Sequence, residues 1–292
     1  MSVYKHNYRA YTGRVTPLWT RILVLARYGL AEVWSSKITI GLFTLSFLPT
    51  FVFIILIYLA NNPIARALIL HGNDARDLSI NAMFFLVVLE IQCWAALLIT
   101  AWIAPRLITF DLADNALPIL LSHPISRFGY VLGKFAALVG SLSLVTWVPC
   151  LLLFVYQGYA SPQPWAAANA RIAVGLLVGS LLWIVLLSIL GLALSSWVKW
   201  RAVATGLIIA AVFVPAGVGG IVSAVLRTRW GFLLNVPFIM NELWQQLLGV
   251  ERFVHPERML PVSAILIALC SVCVLSIAML NARIRAREVV RG

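Results

Sequence analysis

A chain of 292 residues that is 62% hydrophobic and 11% charged, with a mean hydropathy of +0.97, stands far from soluble domains, in which about a quarter of residues are charged. The composition excludes a soluble globular fold and predicts an all-α integral membrane protein. The net charge of +12 is scattered along the chain, which excludes a nucleic-acid partner and fits contact with anionic headgroups of the lipid bilayer.

In chain order, residues 1–37 carry six basic side chains and no early apolar core, so no cleaved signal is expected. Within them, residues 17–37 place Leu18, Ile22, Leu25, Leu30, Val33 and Trp34 on one helical stripe, which predicts an amphipathic interfacial helix lying apolar face down. A bilayer core about 30 Å thick needs roughly 20 apolar helical residues. Six runs meet that length: Ile38–Ala60, Ile80–Ile103, Phe135–Tyr156, Ile172–Val198, Ala202–Leu226 and Leu260–Leu280. They define a transmembrane domain over 38–280, followed by a basic tail at 281–292.

Six crossings put both termini on one side. Arg66, Arg76, Arg171, Arg227, Arg229, Arg252 and Arg258 then fall on the opposite side, leaving 15 of the 22 basic residues with the termini. By the positive-inside rule the termini are cytoplasmic, and the expected location is the cell inner membrane. Cys93, Cys150, Cys270 and Cys273 all lie inside crossings, which excludes a disulfide framework and favours packing even for the Cys270–Cys273 pair. Pro49, Pro149 and Pro215 fall within crossings and predict bends. Gly175 and Gly179 predict a close helix approach within the chain. The outer connection, residues 227–259, reads as short helices at the outer leaflet, with Trp230 and Trp244 at headgroup level.

The informative interruption is the loop 105–134. Charged side chains near the bilayer centre cost about 2.5–3.5 kcal/mol on insertion scales, so Asp111, Asp114, Arg127 and Lys134 are expected in water or against a partner. Leu112, Leu117, Leu120 and Leu121 give a short helix an apolar side, Pro124 ends it, and Ser126 caps the next helix. The result is a helical elbow with the form of a docking surface.

Asp111, Asn115-Ala116-Leu117-Pro118, Ser122-x-Pro124-Ile125-Ser126-Arg127 and Tyr130-Val131-Leu132-Gly133-Lys134 resemble the loop of ABC-2 type permeases, the membrane subunits of ATP-driven exporters. With six crossings, an interfacial helix and a long fifth-to-sixth connection, the resemblance spans nearly the whole chain. It implies a six-helix exporter subunit with a cytoplasmic coupling helix between helices 2 and 3. It further implies pairing with a second permease copy and docking on a cytoplasmic ABC ATPase dimer through Asp111, Asp114, Asn115, Leu117, Leu120, Pro124, Ser126 and Arg127. The chain has no Gly-x-x-x-x-Gly-Lys-[Ser/Thr] loop, and Gly217-x-Gly219-Gly220 lies in an apolar run without the lysine. ATP and Mg are therefore expected on the partner, with no cofactor on this chain.

Glu90, with Gln92 beside it, sits within the second crossing as a candidate pathway residue, or else as a hydrogen-bonded packing residue. A stand-alone secondary transporter or channel using Glu90 is the alternative to the exporter. An enzyme is not expected, since neither His-Glu-x-x-His nor Gly-x-Ser-x-Gly occurs.

Overall fold

The computed structural model describes residues 17–65, 79–113, 126–161, 164–250 and 260–283, and every regular element among them is helical. The elements are α1 (Leu18–Trp34), α2 (Lys37–Asn61), α3 (Ala82–Ala113), α4 (Arg127–Val145), α5 (Trp147–Ala160), a four-residue α6 (Trp165–Ala168), α7 (Ala170–Trp197), α8 (Arg201–Val225), a 3-10 turn (Trp230–Leu234), α9 (Val236–Leu248) and α10 (Val262–Arg283). Six spans are long and apolar enough to cross a membrane: α2, α3 through Thr109, α4 with α5 as one span, α7, α8 and α10. The chain is a multi-pass membrane protein by this measure. An even number of spans puts Leu18 and Arg283 on one side, called here the terminal face, with the opposite side the far face.

α3 and α7 form the centre and pack on each other most extensively. Phe85, Leu89, Leu97, Ile103 and Leu107 of α3 and Trp183, Ile184 and Leu187 of α7 are all buried. α2, α8 and α10 keep long rows of Leu, Ile, Val and Phe exposed, as spans on the rim of a bundle facing lipid must. No membrane-depth backbone group can find water, so each break in a span has to be satisfied by the protein itself.

One such break divides the third span at Thr146, whose backbone (φ −100, ψ −92) is not helical. Pro149 lacks an N–H, which frees the carbonyl four residues back, that of Val145. Gln92 of α3 fills the vacancy. With its amide oxygen accepting from Thr50 Oγ1 at 2.7 Å, its nitrogen donates to Val145 O at 3.1 Å and to Ser46 O at 3.2 Å. One fully buried side chain thus ties α2, α3 and α4 together. Pro49 and Pro215, by contrast, lie inside unbroken helices.

α1 departs from the expected arrangement. Its stripe of Ile22, Leu25, Ala26, Gly29, Leu30 and Val33 packs inward, mainly on α4. Contact is close because a glycine stands on each helix: a Cβ on Gly133 would lie 2.7 Å from Leu25 Cδ2, and one on Gly29 3.1 Å from Ala137 Cβ. The apolar stripe predicted to face lipid is therefore spent on the protein. Trp19, Leu23, Val24 and Tyr28 supply a second apolar surface that remains exposed.

The far face is closed by α9. Asn235 caps it by accepting from Phe238 N at 3.0 Å, and Gly249 ends it at φ +70, a left-handed conformation that suits glycine. Arg171 of α7 donates to the carbonyls of Gln246 (2.7 Å) and Leu247 (3.2 Å), placing a cation on the negative helix end. α9 wedges against α7, α3, α8 and α10 with Val236, Ile239, Met240, Leu243 and Trp244 buried. Trp244, expected at headgroup level, is only 3% exposed and donates to Gly179 O at 3.1 Å. Gly179 makes this possible, since a Cβ there would stand 2.7 Å from the indole. Trp230, by contrast, is 59% exposed.

Candidate functional site

The charged candidate residues that the structure describes fall in two places: the ends of α3 and α4 on the terminal face, and a cavity toward the far face.

On the terminal face α3 does not stop at Ile103. It runs on through Pro105 to Ala113, 32 residues in all or about 48 Å, because its last turns still find a core: Leu107 and Ile108 are fully buried. Asp111 consequently lies on a helix packed against α4. Its Oδ2 accepts from Tyr130 Oη at 2.6 Å and pairs with Lys134 Nζ at 2.9 Å. Lys134 is 8% exposed and Asp111 21%, so the pair is mostly withdrawn from water. Glu32 of α1 stands close by. Its half-burial pushes the carboxyl above its ordinary value; Lys134 pulls it down, Asp111 pushes it up and Arg106 pulls it down. The three helices α1, α3 and α4 thus share one charged cluster beneath their glycine contact.

Of the residues expected to dock a partner, Ser126 caps α4 by accepting from Gly129 N at 3.0 Å, as the sequence predicts. Arg127 follows it, exposed, at the rim of a cavity of about 310 Å³ bordered by Phe128, Phe135, Ile189 and Leu280. Asp111 is engaged by Lys134 and Tyr130, and among the described residues Arg127 makes no ion pair with it. Asp114, Asn115, Leu117, Leu120 and Pro124, and the coupling helix expected from them, lie outside the described residues.

The second place centres on Glu90, eight residues after α3 begins and so about 12 Å along it. Glu90 is partly exposed and borders a cavity of about 450 Å³ formed by α3, α7, α8 and the segment from Asn235 through α9. Trp94, Trp183, Phe213, Phe238 and Trp244 supply aromatic walls, and Asn235 and Asn241 supply amides. Gln92 does not line this cavity. Two residues along the helix it points to the opposite side, into the α2–α4 junction described above, so the two candidate pathway residues do different things.

The walls are fixed by hydrogen bonds that sequence reasoning did not find. Trp183 Nε1 donates to Cys93 O at 2.9 Å, as Trp244 Nε1 does to Gly179 O. The two indoles meet edge to face at 5.8 Å and 77°, while Trp94 and Phe213 stack at 5.7 Å and 15° across α3 and α8. A cluster of bulky aromatics around a small-residue position was the available signal, in Gly179 and Trp183 four residues apart. Among the described residues no group of three or more metal-ligating side chains occurs, and all four cysteines are free.

No family model matches the chain, and no curated protein matches it.

Proposed function

We propose that the chain is the permease subunit of an ABC-2 type exporter, pairing with a second copy and driven by separate cytoplasmic ATPase subunits that bind ATP and Mg. The observation that carries the reading is the loop sequence from Asp111 to Lys134 together with the way its two ends are fastened. Lys134 and Tyr130 at the start of α4 hold Asp111 at the end of α3, and α1 clamps α4 through Gly133. A push delivered to the intervening residues would act on α1, α3 and α4 as one body, and Gln92 extends that body to α2. The lever so formed reaches the α3 segment that carries Glu90, which is the geometry a ligand-driven shift between two helix packings requires.

In this reading the termini are cytoplasmic in a cell inner membrane, and α1 lies at the interface with Trp19, Leu23, Val24 and Tyr28 toward lipid. The chain itself catalyses nothing. Purification of the tagged chain in mild detergent tests the proposal: a stoichiometric ATPase whose hydrolysis is coupled to the permease supports it. A stand-alone oligomer giving ATP-independent flux refutes it and supports a secondary transporter, a reading that the position of Glu90 beside a cavity favours.

A further inference from the structure

We propose that the Glu90 cavity is a binding site for an amphipathic organic cation, a bulky ammonium or phosphonium whose apolar body fits the aromatic walls. At about 450 Å³ the cavity has the size of small-molecule sites, which span roughly 300–1,000 Å³. Its lining contains one carboxylate, two amides and five aromatic rings, and among the described residues no Lys, Arg or His borders it. Charge therefore selects the ligand's sign. A carboxylate at membrane depth calls for a counter-charge, and among the described residues Glu90 has neither hydrogen bond nor ion pair. An anion would meet Glu90 with no cation to offset it.

The rings select the ligand's kind. The indole N–H groups of Trp183 and Trp244 are occupied by backbone carbonyls, so these residues offer π surface rather than donors. Aromatic faces attract cations, most strongly where water is excluded. A small hard cation is a poor fit, because calcium takes 6–8 oxygen ligands and magnesium a near-ideal octahedron, whereas this lining is dominated by carbon. A diffuse organic cation needs no such shell. Trp94 and Phe213 are 36% and 51% exposed, so the stacked pair sits at the mouth, open to a ligand arriving from the lipid side between α3 and α8.

The site would give the proposed permease its substrate class, and it is tested without the ATPase. Tetraphenylphosphonium and tetraphenylborate have nearly the same shape and opposite charge. Equilibrium binding of each is measured to the full chain in lipid nanodiscs, against empty nanodiscs. The expected result is saturable binding of the phosphonium alone, weakened about tenfold or more in Glu90→Gln and restored in Glu90→Asp. Trp94→Leu removes the indole stacked on Phe213 at a partly exposed position; it should weaken binding by about threefold or more, and it decides the matter if Glu90→Gln fails to fold. Equal binding of both ions, or phosphonium binding unchanged in Glu90→Gln and Trp94→Leu, overturns the proposal. Either failure leaves the ATPase-coupled reading standing, just as absence of an ATPase would leave this site standing.

Discussion

Replacing Asp111 by Ala removes the acceptor that, among the described residues, serves both Tyr130 and Lys134 of α4, and the structure sets the size of the effect. Lys134, 8% exposed, would be left as a charge almost without water. Breaking a buried pair by deleting one partner costs about 3–5 kcal/mol, and the lower end applies because the half-buried Glu32 remains in electrostatic reach of Lys134. The expectation is a loss of about 3 kcal/mol. Lys134→Met removes the buried cation and leaves Asp111, 21% exposed, still bonded to Tyr130, for a loss of about 1 kcal/mol. The double variant has no orphaned charge and should lie near Lys134→Met, giving a coupling energy of about 2–3 kcal/mol. Reversible unfolding in mixed micelles, followed by tryptophan fluorescence, measures all four corners of the cycle. A coupling energy near zero would refute the brace, and with it the idea that α3 and α4 move as one body.

Further outcomes are expected elsewhere. Single cysteines introduced by Ser2→Cys, Ser122→Cys and Gly292→Cys, in a background without the native four, should resist impermeant thiol reagents in intact cells while Gln163→Cys reacts; labelling at 122 from outside would reverse the orientation. Arg127→Glu should leave thermal stability unchanged, since Arg127 is exposed and Asp111 is engaged by Lys134 and Tyr130, yet weaken ATPase co-purification by about 2–5 kcal/mol if the charge is buried against the partner; retained ATPase binding would remove Arg127 from the docking surface. Burial raises the Glu32 carboxyl above the ordinary 4.5, so the folded state holds that proton more tightly, and its contribution is present below pH 4.5 and lost as pH rises through the folded value. Glu32→Gln should accordingly flatten the fall in stability above pH 4.5, and an unchanged pH profile would contradict it. Gly179→Val should displace Trp244 and lower the melting temperature, because even a Cβ would stand 2.7 Å from the indole; an unaltered Trp environment by near-ultraviolet circular dichroism would show the contact is loose.

The spans were legible because length and hydropathy alone decide them: α2, predicted as Ile38–Ala60, occurs as Lys37–Asn61. Their ends toward the 105–134 loop were not, and for one reason. In sequence, charge marks a boundary, but Lys134 and Asp111 neutralise each other, so α4 begins eight residues before Phe135 and α3 continues ten beyond Ile103. A pairing between positions 23 apart leaves no periodic trace. The Ser126 cap was readable because capping is local. The inward face of α1 was not, since Leu25 and Val33 look the same facing lipid or protein, and only the glycines at 29 and 133, distant in sequence, distinguish the two. Glu90 was legible as an ionisable group in an apolar run. Its surroundings were not, because the walls come from four separate parts of the chain.

Gln92 bears on how the protein is made as well as on how it holds together. The chain is synthesised from its N-terminus, so α3 enters the bilayer before α4 and α5 exist, and until then its amide has partners only on α2, at Thr50 and Ser46. The third span arrives with an open carbonyl at Val145, and in lipid such a group costs several kcal/mol until a donor is found. The donor is already in place on the neighbouring second span. Insertion of the third span is then expected to depend on its docking against Gln92: Gln92→Leu should let all six spans be synthesised while the third stalls at its own break, seen as faster turnover of the chain by membrane quality-control proteases in a pulse-chase measurement.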